Sequence, residues 1–131
     1  MRMLLDTHIA LWALVDDPKL PKKARELIAD SANDVVVSVA TVWEIAIKHA
    51  LSRNKRNAIP ISGTEAVAMF RMAGYQLLGI SSAHAASVES LPPIHADPFD
   101  RMLVAQALSE PLQLITSDPV VARYSDAVIH V

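Results

Sequence analysis

The sequence predicts an α/β fold: a single three-layer α/β/α domain over residues 1–131, built on a five-stranded, mostly parallel sheet. Three observations carry this. Short apolar runs alternate with helical stretches from end to end, the pattern that gives parallel strands joined by right-handed crossovers with helices on both faces. The run Val35-Val36-Val37-Ser38-Val39 is β-branched at four of its five positions, as a strand buried on both faces requires. A length of 131 residues with 52% hydrophobic and 20% charged residues suits one globular domain around one core.

The elements follow in order. Met3-Leu4-Leu5 is a short apolar strand that stops on Asp6 and is read as central in the sheet. Ile9 to Val15 is apolar almost all round, which marks a buried or very short helix, and Asp16-Asp17-Pro18 stops it. Pro21 suits the first turn of a second helix, whose Ala24, Leu27 and Ile28 fall at helical spacing. After the Val35–Val39 strand comes a helix whose apolar stripe is read as Trp43, Ala46, Ile47, Ala50 and Leu51. A polar, basic loop, Ser52 to Asn57, ends it. Ser62 opens the next helix with Glu65 completing a capping box, Ala66, Met69, Phe70 and Ala73 form its buried face, and Gly74 suits its carboxyl-terminal cap. Tyr75 to Ile80 is a third strand, and Ser82 to Val88 a short helix carrying His84. Leu91 to Ala96 is loop, because its two prolines forbid a central strand. Asp97-Pro98 starts a helix to about Ser109. Leu112 to Thr116 is a fourth strand, a one- or two-turn helix follows Asp118-Pro119, and Ala127 to Val131 closes the sheet as an edge strand.

Composition narrows the chemistry. The absence of cysteine removes disulfides, thiolate metal sites and cysteine nucleophiles, and it fits a reducing cytoplasm. Asp6 and His8 interrupt the amino-terminal apolar run, which argues against a signal peptide, and no stretch approaches the roughly 20 apolar residues that span a bilayer. With a net charge of −2, any nucleic-acid partner must be attracted by local basic patches and bound cations rather than by the overall balance. Three glycines and no P-loop or GxGxxG argue against nucleotide switches, and no nucleophile elbow supports a serine hydrolase.

The acidic residues hold the interest, and each has a plain structural explanation. Asp6 caps a helix starting near Thr7. Glu44 completes a capping box opened by Thr41 and pairs with Lys48 one turn on, worth about 0.2–0.5 kcal/mol. Asp97 is a helix N-cap ahead of proline, and Asp118 has the same option. Asp100 is favoured in a first helical turn, but it shares a face with Leu103, Val104 and Ala107, which points it inward. An unpaired buried carboxylate is costly, so it must be protonated, paired or metal-bound. The joint pattern goes further than any single residue. Asp6 and Asp118 follow strands, Glu44 sits on the helix after the second strand, and Asp100 opens a long helix. In a parallel sheet all four can reach the carboxyl edge, where such folds bind ligands. Four carboxylates together need a cation. Oxygen ligands without cysteine or a paired-histidine motif favour Mg²⁺ or Mn²⁺ over zinc.

Leu4-Leu5-Asp6-Thr7-His8 with Leu11-Trp12, Ser38 and Trp43 to Lys48, Leu91-Pro92, His95 and Asp97-Pro98-Phe99-Asp100-Arg101-Met102-Leu103 with Ala105-Gln106-Ala107, and Thr116 and Asp118 follow one another in an order that resembles that of the PIN-domain ribonucleases, specifically the VapC-type toxins of type II toxin–antitoxin pairs. The resemblance implies a five-stranded parallel sheet and a metal-dependent endoribonuclease. The acidic quartet Asp6, Glu44, Asp100 and Asp118 would serve as catalytic residues and as ligands for Mg²⁺ or Mn²⁺, with Thr116 in support. It also implies an RNA substrate, a cognate antitoxin, a homodimer and no membrane. Lys48, Arg101 and the loop residues Arg53, Lys55 and Arg56 are candidate RNA contacts, although solvated surface charge explains the loop residues as well. The basic, glycine-free loop at Ser52–Asn57 departs from the subgroup's usual glycine turn and bears on substrate or partner choice. His8, His84 and His95 are read as structural, and Trp12 and Trp43 as core. The alternatives are a catalytically inactive RNA- or antitoxin-binding module and, further off, a haloacid-dehalogenase-like phosphatase, which would need an aspartate at position 8, where this chain has His8.

Overall fold

A computed structural model describes residues 1–56 and 58–131. Among them five strands, β1 (Arg2–Leu5), β2 (Asp34–Ser38), β3 (Gln76–Leu78), β4 (Gln113–Thr116) and β5 (Val128–His130), form one sheet in the order β3-β2-β1-β4-β5. Every neighbouring pair is parallel, with Met3 opposite Val35 on one side and Gln113 on the other. The helices are α1 (Thr7–Leu14), α2 (Lys22–Ala29), α3 (Val39–Leu51), α4 (Gly63–Met72), α5 (Ser82–Ser87) and α6 (Pro98–Ser109), with 3₁₀ turns at Val88–Ser90 and Val121–Tyr124.

Strand alternation divides the core in two. Met3, Leu5, Val37 and Ile115 face a layer holding Ile9 of α1, Ala24 of α2, Ile45 of α3 and Phe70 of α4. Leu4, Val36 and Leu114 face the opposite layer, with Leu103, Val104 and Ala107 of α6 and Val121. Burial of both faces explains why the interiors of these strands are apolar, with polar residues only at their ends. The strand order reverses at β1, which lies between β2 and β4. Open α/β sheets place their binding crevice at the carboxyl ends of such a pair, and here those ends are Leu5-Asp6 and Thr116.

Local signals explain the helix boundaries. Ser62 and Glu65 form the capping box of α4. At its far end the Gly74 N–H donates to the Arg71 carbonyl and the Tyr75 N–H to the Phe70 carbonyl, with Gly74 at φ +81°, a Schellman ending that needs glycine. Asp97 caps α6 by accepting from the Phe99 and Asp100 amides.

Helix α3 departs from the sequence expectation in two ways. It begins directly after β2, with Ser38 as the N-cap accepting from the Ala40 amide, so Thr41 and Glu44 form no capping box. Its buried residues are Ala40, Thr41, Glu44 and Ile45, whereas Trp43 and Leu51 of the expected stripe are 57% and 70% exposed. Apolarity alone assigned that stripe. The sheet edge instead claims the polar positions 41 and 44, and Trp43, about 100° round the helix from Glu44, turns outward. Trp43 meets Phe99 edge-on, with ring centroids 5.0 Å apart. Trp12 matches its expectation, half-buried against the core.

Candidate metal centre

The site is assembled at the β1/β4 crevice from four segments. Asp6 follows β1, and its own N–H extends the ladder by donating to the Ile115 carbonyl. Its Oδ1 accepts from the Ile9 amide, so the structural explanation holds: Asp6 is the N-cap of α1. Its Oδ2 accepts from the Thr116 hydroxyl at the end of β4. That hydroxyl in turn accepts from the Asp118 amide at 3.0 Å, so one side chain ties both strand-end aspartates together. Asp118 uses Oδ1 to accept from the Val120 amide and leaves Oδ2 facing His95.

Glu44 comes from the buried face of α3. A hydrogen bond of 3.2 Å between the hydroxyls of Thr7 and Thr41, both buried, ties this face to the residue after Asp6. Lys48 Nζ stands 2.6 Å from Glu44 Oε2. Among the described residues Glu44 Oε1 is buried with no hydrogen-bond partner. Asp100 lies on the first turn of α6. Burial first, and then the charges of Asp97, Asp6 and Glu44, push its carboxyl from 3.8 up to about 7, against a lowering by His95. The Asp6 carboxyl is also raised by burial, partly offset by its hydrogen bonds to the Ile9 amide and the Thr116 hydroxyl. The four acids that the sequence singled out are thus brought to one edge, and Asp100 feels both Asp6 and Glu44.

The donor set fits a hard divalent cation. A buried carboxylate oxygen without a partner, and a carboxyl pushed up by burial and then by neighbouring acids, are groups that a positive charge placed among them would stabilise. Among the described residues, one ligand atom from each of His95, Asp100 and Asp118 lies within 4.8 Å of the others.

His95 has no place in the sequence reading of the site, yet its Nε2 is 3.2 Å from Asp118 Oδ2 and 3.4 Å from Asp100 Oδ2. No local pattern marks it: His95 meets Asp118 across 23 positions of sequence. His84 is structural as expected. It is buried, completes the cap of α5 through the Ser81 amide and meets Glu110 at 2.6 Å.

The basic residues divide. Arg101, expected among the RNA contacts, directs its guanidinium at the carbonyls of Val88 and Pro92 and at the Tyr124 hydroxyl, which fixes the loop ahead of α6. Lys48 is committed to Glu44 and half-exposed. Arg53, Lys55 and Arg56 are exposed beyond the end of α3, and Asn57, the last residue of the expected basic loop, lies outside the described residues. No helix among the described residues is long and apolar enough to cross a membrane.

The chain's fold is similar to VapBC2 from Rickettsia felis, solved bound to a DNA fragment from their promoter, at a TM-score of 0.70 and 16% identity, covering 100% of this chain and 98% of that one. It is similar also to a toxin–antitoxin complex from Klebsiella pneumoniae, at a TM-score of 0.65 and 16% identity, covering 97% and 95%. At that identity the likeness is one of fold. None of the curated protein sequences matches. The family model of the PIN domain matches residues 3–127. With nearly the whole length matched and the carboxylates gathered at the switch point of the sheet, the chain belongs to the PIN domain family.

Proposed function

We propose that this protein is a Mg²⁺- or Mn²⁺-dependent endoribonuclease, the toxin of a toxin–antitoxin pair, acting in the cytoplasm as a homodimer that a cognate antitoxin silences. The observation that carries the catalytic part is Asp100: a half-buried carboxyl pushed up to about 7 by burial and by the acids around it, beside a buried and unpartnered Glu44 oxygen. Metal-free, that arrangement is unfavourable. It makes sense as a cation site. The toxin part rests on family membership and on the two structural neighbours, both of them from toxin–antitoxin complexes.

Asp6, Asp100 and Asp118, with Glu44, would hold the cation. When bound, a divalent cation activates water at neutral pH and offsets charge developing on a phosphodiester. The chain's own groups supply the rest. Thr116 fixes Asp6 and the backbone of Asp118 in one arrangement. Lys48 holds Glu44 Oε2, so that Oε1 would face the cation, directly or through a water that it orients. The cap bonds fix Asp6 and Asp118 on the backbone, so little reorganisation accompanies the reaction. Arg53, Lys55 and Arg56 provide positive charge for the RNA backbone, and their contribution weakens with salt.

The test is Mg²⁺-dependent cleavage of RNA by purified Asp6→Asn and Asp100→Asn variants. Each is expected to lose at least about a hundredfold in rate, the scale on which removing one element of an electrostatic site is felt. Full activity in either variant, with its fold intact, overturns the reading.

A further inference from the structure

His95 is held more firmly than a loop side chain needs to be. Its amide N–H donates to the Tyr124 hydroxyl at 2.8 Å, and its carbonyl accepts from the same hydroxyl at 3.3 Å. Arg101 pins the preceding loop through Pro92 and binds Tyr124 as well. The ring is fixed separately: Nδ1 lies 3.0 Å from the Asp97 amide nitrogen. An amide N–H can only donate, so Nδ1 is the acceptor and the ring proton sits on Nε2. That N–H faces Asp118 Oδ2 at 3.2 Å and Asp100 Oδ2 at 3.4 Å.

This tautomer separates two roles that the spacing alone leaves together. To ligate a cation through Nε2, the ring would need its proton on Nδ1, facing the Asp97 N–H with two donors in contact. Asp97 cannot easily withdraw, because its side chain caps α6 and Pro98 follows it. We propose that His95 is a positioning residue of the metal centre and not a ligand: its Nε2–H donates to Asp118 Oδ2, with Asp100 Oδ2 3.4 Å away, so that the Asp118 carboxylate meets a cation already oriented. The inference rests on the metal-centre reading above. Outer partners of this kind typically govern metal affinity by 10- to 100-fold.

The experiment is Mn²⁺ binding to the intact chain, followed by electron paramagnetic resonance. The wild-type complex is expected to show no directly coordinated nitrogen. His95→Ala is expected to weaken Mn²⁺ binding about 10- to 100-fold, and His95→Gln, which can present an N–H near the Nε2 position, to recover most of it. A directly coordinated nitrogen in the wild type makes His95 a ligand and overturns the proposal, without need of any variant. Unchanged Mn²⁺ affinity in a folded His95→Ala overturns it as well. If the wild type takes up no more Mn²⁺ than Asp6→Asn, the metal-centre reading itself fails and this inference goes with it.

Discussion

Asp100 sets how the metal-free protein responds to pH. Its carboxyl titrates at about 7 in the folded chain, against 3.8 for the ordinary group. Between those values the folded chain keeps a proton that the unfolded chain has lost. The Asp100 contribution to stability therefore falls as pH rises from about 4 to about 7, Asp6, raised in the same direction, adds to the slope, and Glu65, lowered by its Ser62 cap, opposes it. Calorimetry of metal-stripped protein across this range should show the decline, and Asp100→Asn should flatten it. A wild-type profile that climbs through the same window contradicts the burial argument. Trp43 makes a second case at this scale. Being 57% exposed and held mainly by its edge contact with Phe99, it should cost only ~0.5–1.5 kcal/mol on truncation to alanine. Phe70, fully buried between α4 and the sheet, should cost about 3–5 kcal/mol. Chemical denaturation of the two variants measures both, and equal losses would mean that Trp43 is packed after all.

Among the elements, α3 matters most, because its inward face carries Glu44 to the site. Its position is set partly by its close crossing with α4. A Cβ built on Gly63 at the start of α4 would come within 2.8 Å of the Ala46 Cβ, and neither group has a flexible end to move aside. Gly63→Ala should therefore destabilise by about 1–3 kcal/mol, despite alanine's better helix propensity. A variant as stable as wild type in urea would show that the two helices can separate freely. The short α5 is anchored differently. His84 both caps it and bonds Glu110 at the end of α6. Losing that buried histidine should release α5 from α6, which faster amide exchange over residues 82–87 in His84→Ala would reveal.

For the molecule as a whole, the proposed cation site would couple binding to folding, since the four carboxylates meet only when β1, α3, α6 and β4 are in place. At a hundredfold excess over its dissociation constant, a cation that binds only the folded chain stabilises it by about 2.7 kcal/mol. Mn²⁺ should raise the melting temperature by several degrees near pH 7.5 and by less near pH 5, where Asp100 holds a proton that the cation must displace. Asp6→Asn should lose the shift at both. An equal shift in Asp6→Asn places the cation elsewhere on the surface.

What the sequence determined by itself was most of what is written in local pattern, the Thr41/Glu44 capping box being an exception. The β-branched run at 35–37, the Ser62/Glu65 capping box, Gly74 at the end of α4 and the strand-then-aspartate device at Asp6 and Asp118 are short-range signals, and alternation supplied the parallel sheet. The family resemblance, read from motifs spread along the chain, pointed the same way. Only the tertiary structure decided which face of α3 is buried, because apolarity marks a stripe but cannot say that the sheet edge needs Thr41 and Glu44 inside and leaves Trp43 in solvent. It also decided that Arg101 fastens a loop and that His95 stands between Asp100 and Asp118. Those placements depend on hydrogen bonds between residues up to 29 positions apart, and such contacts leave no periodicity to read.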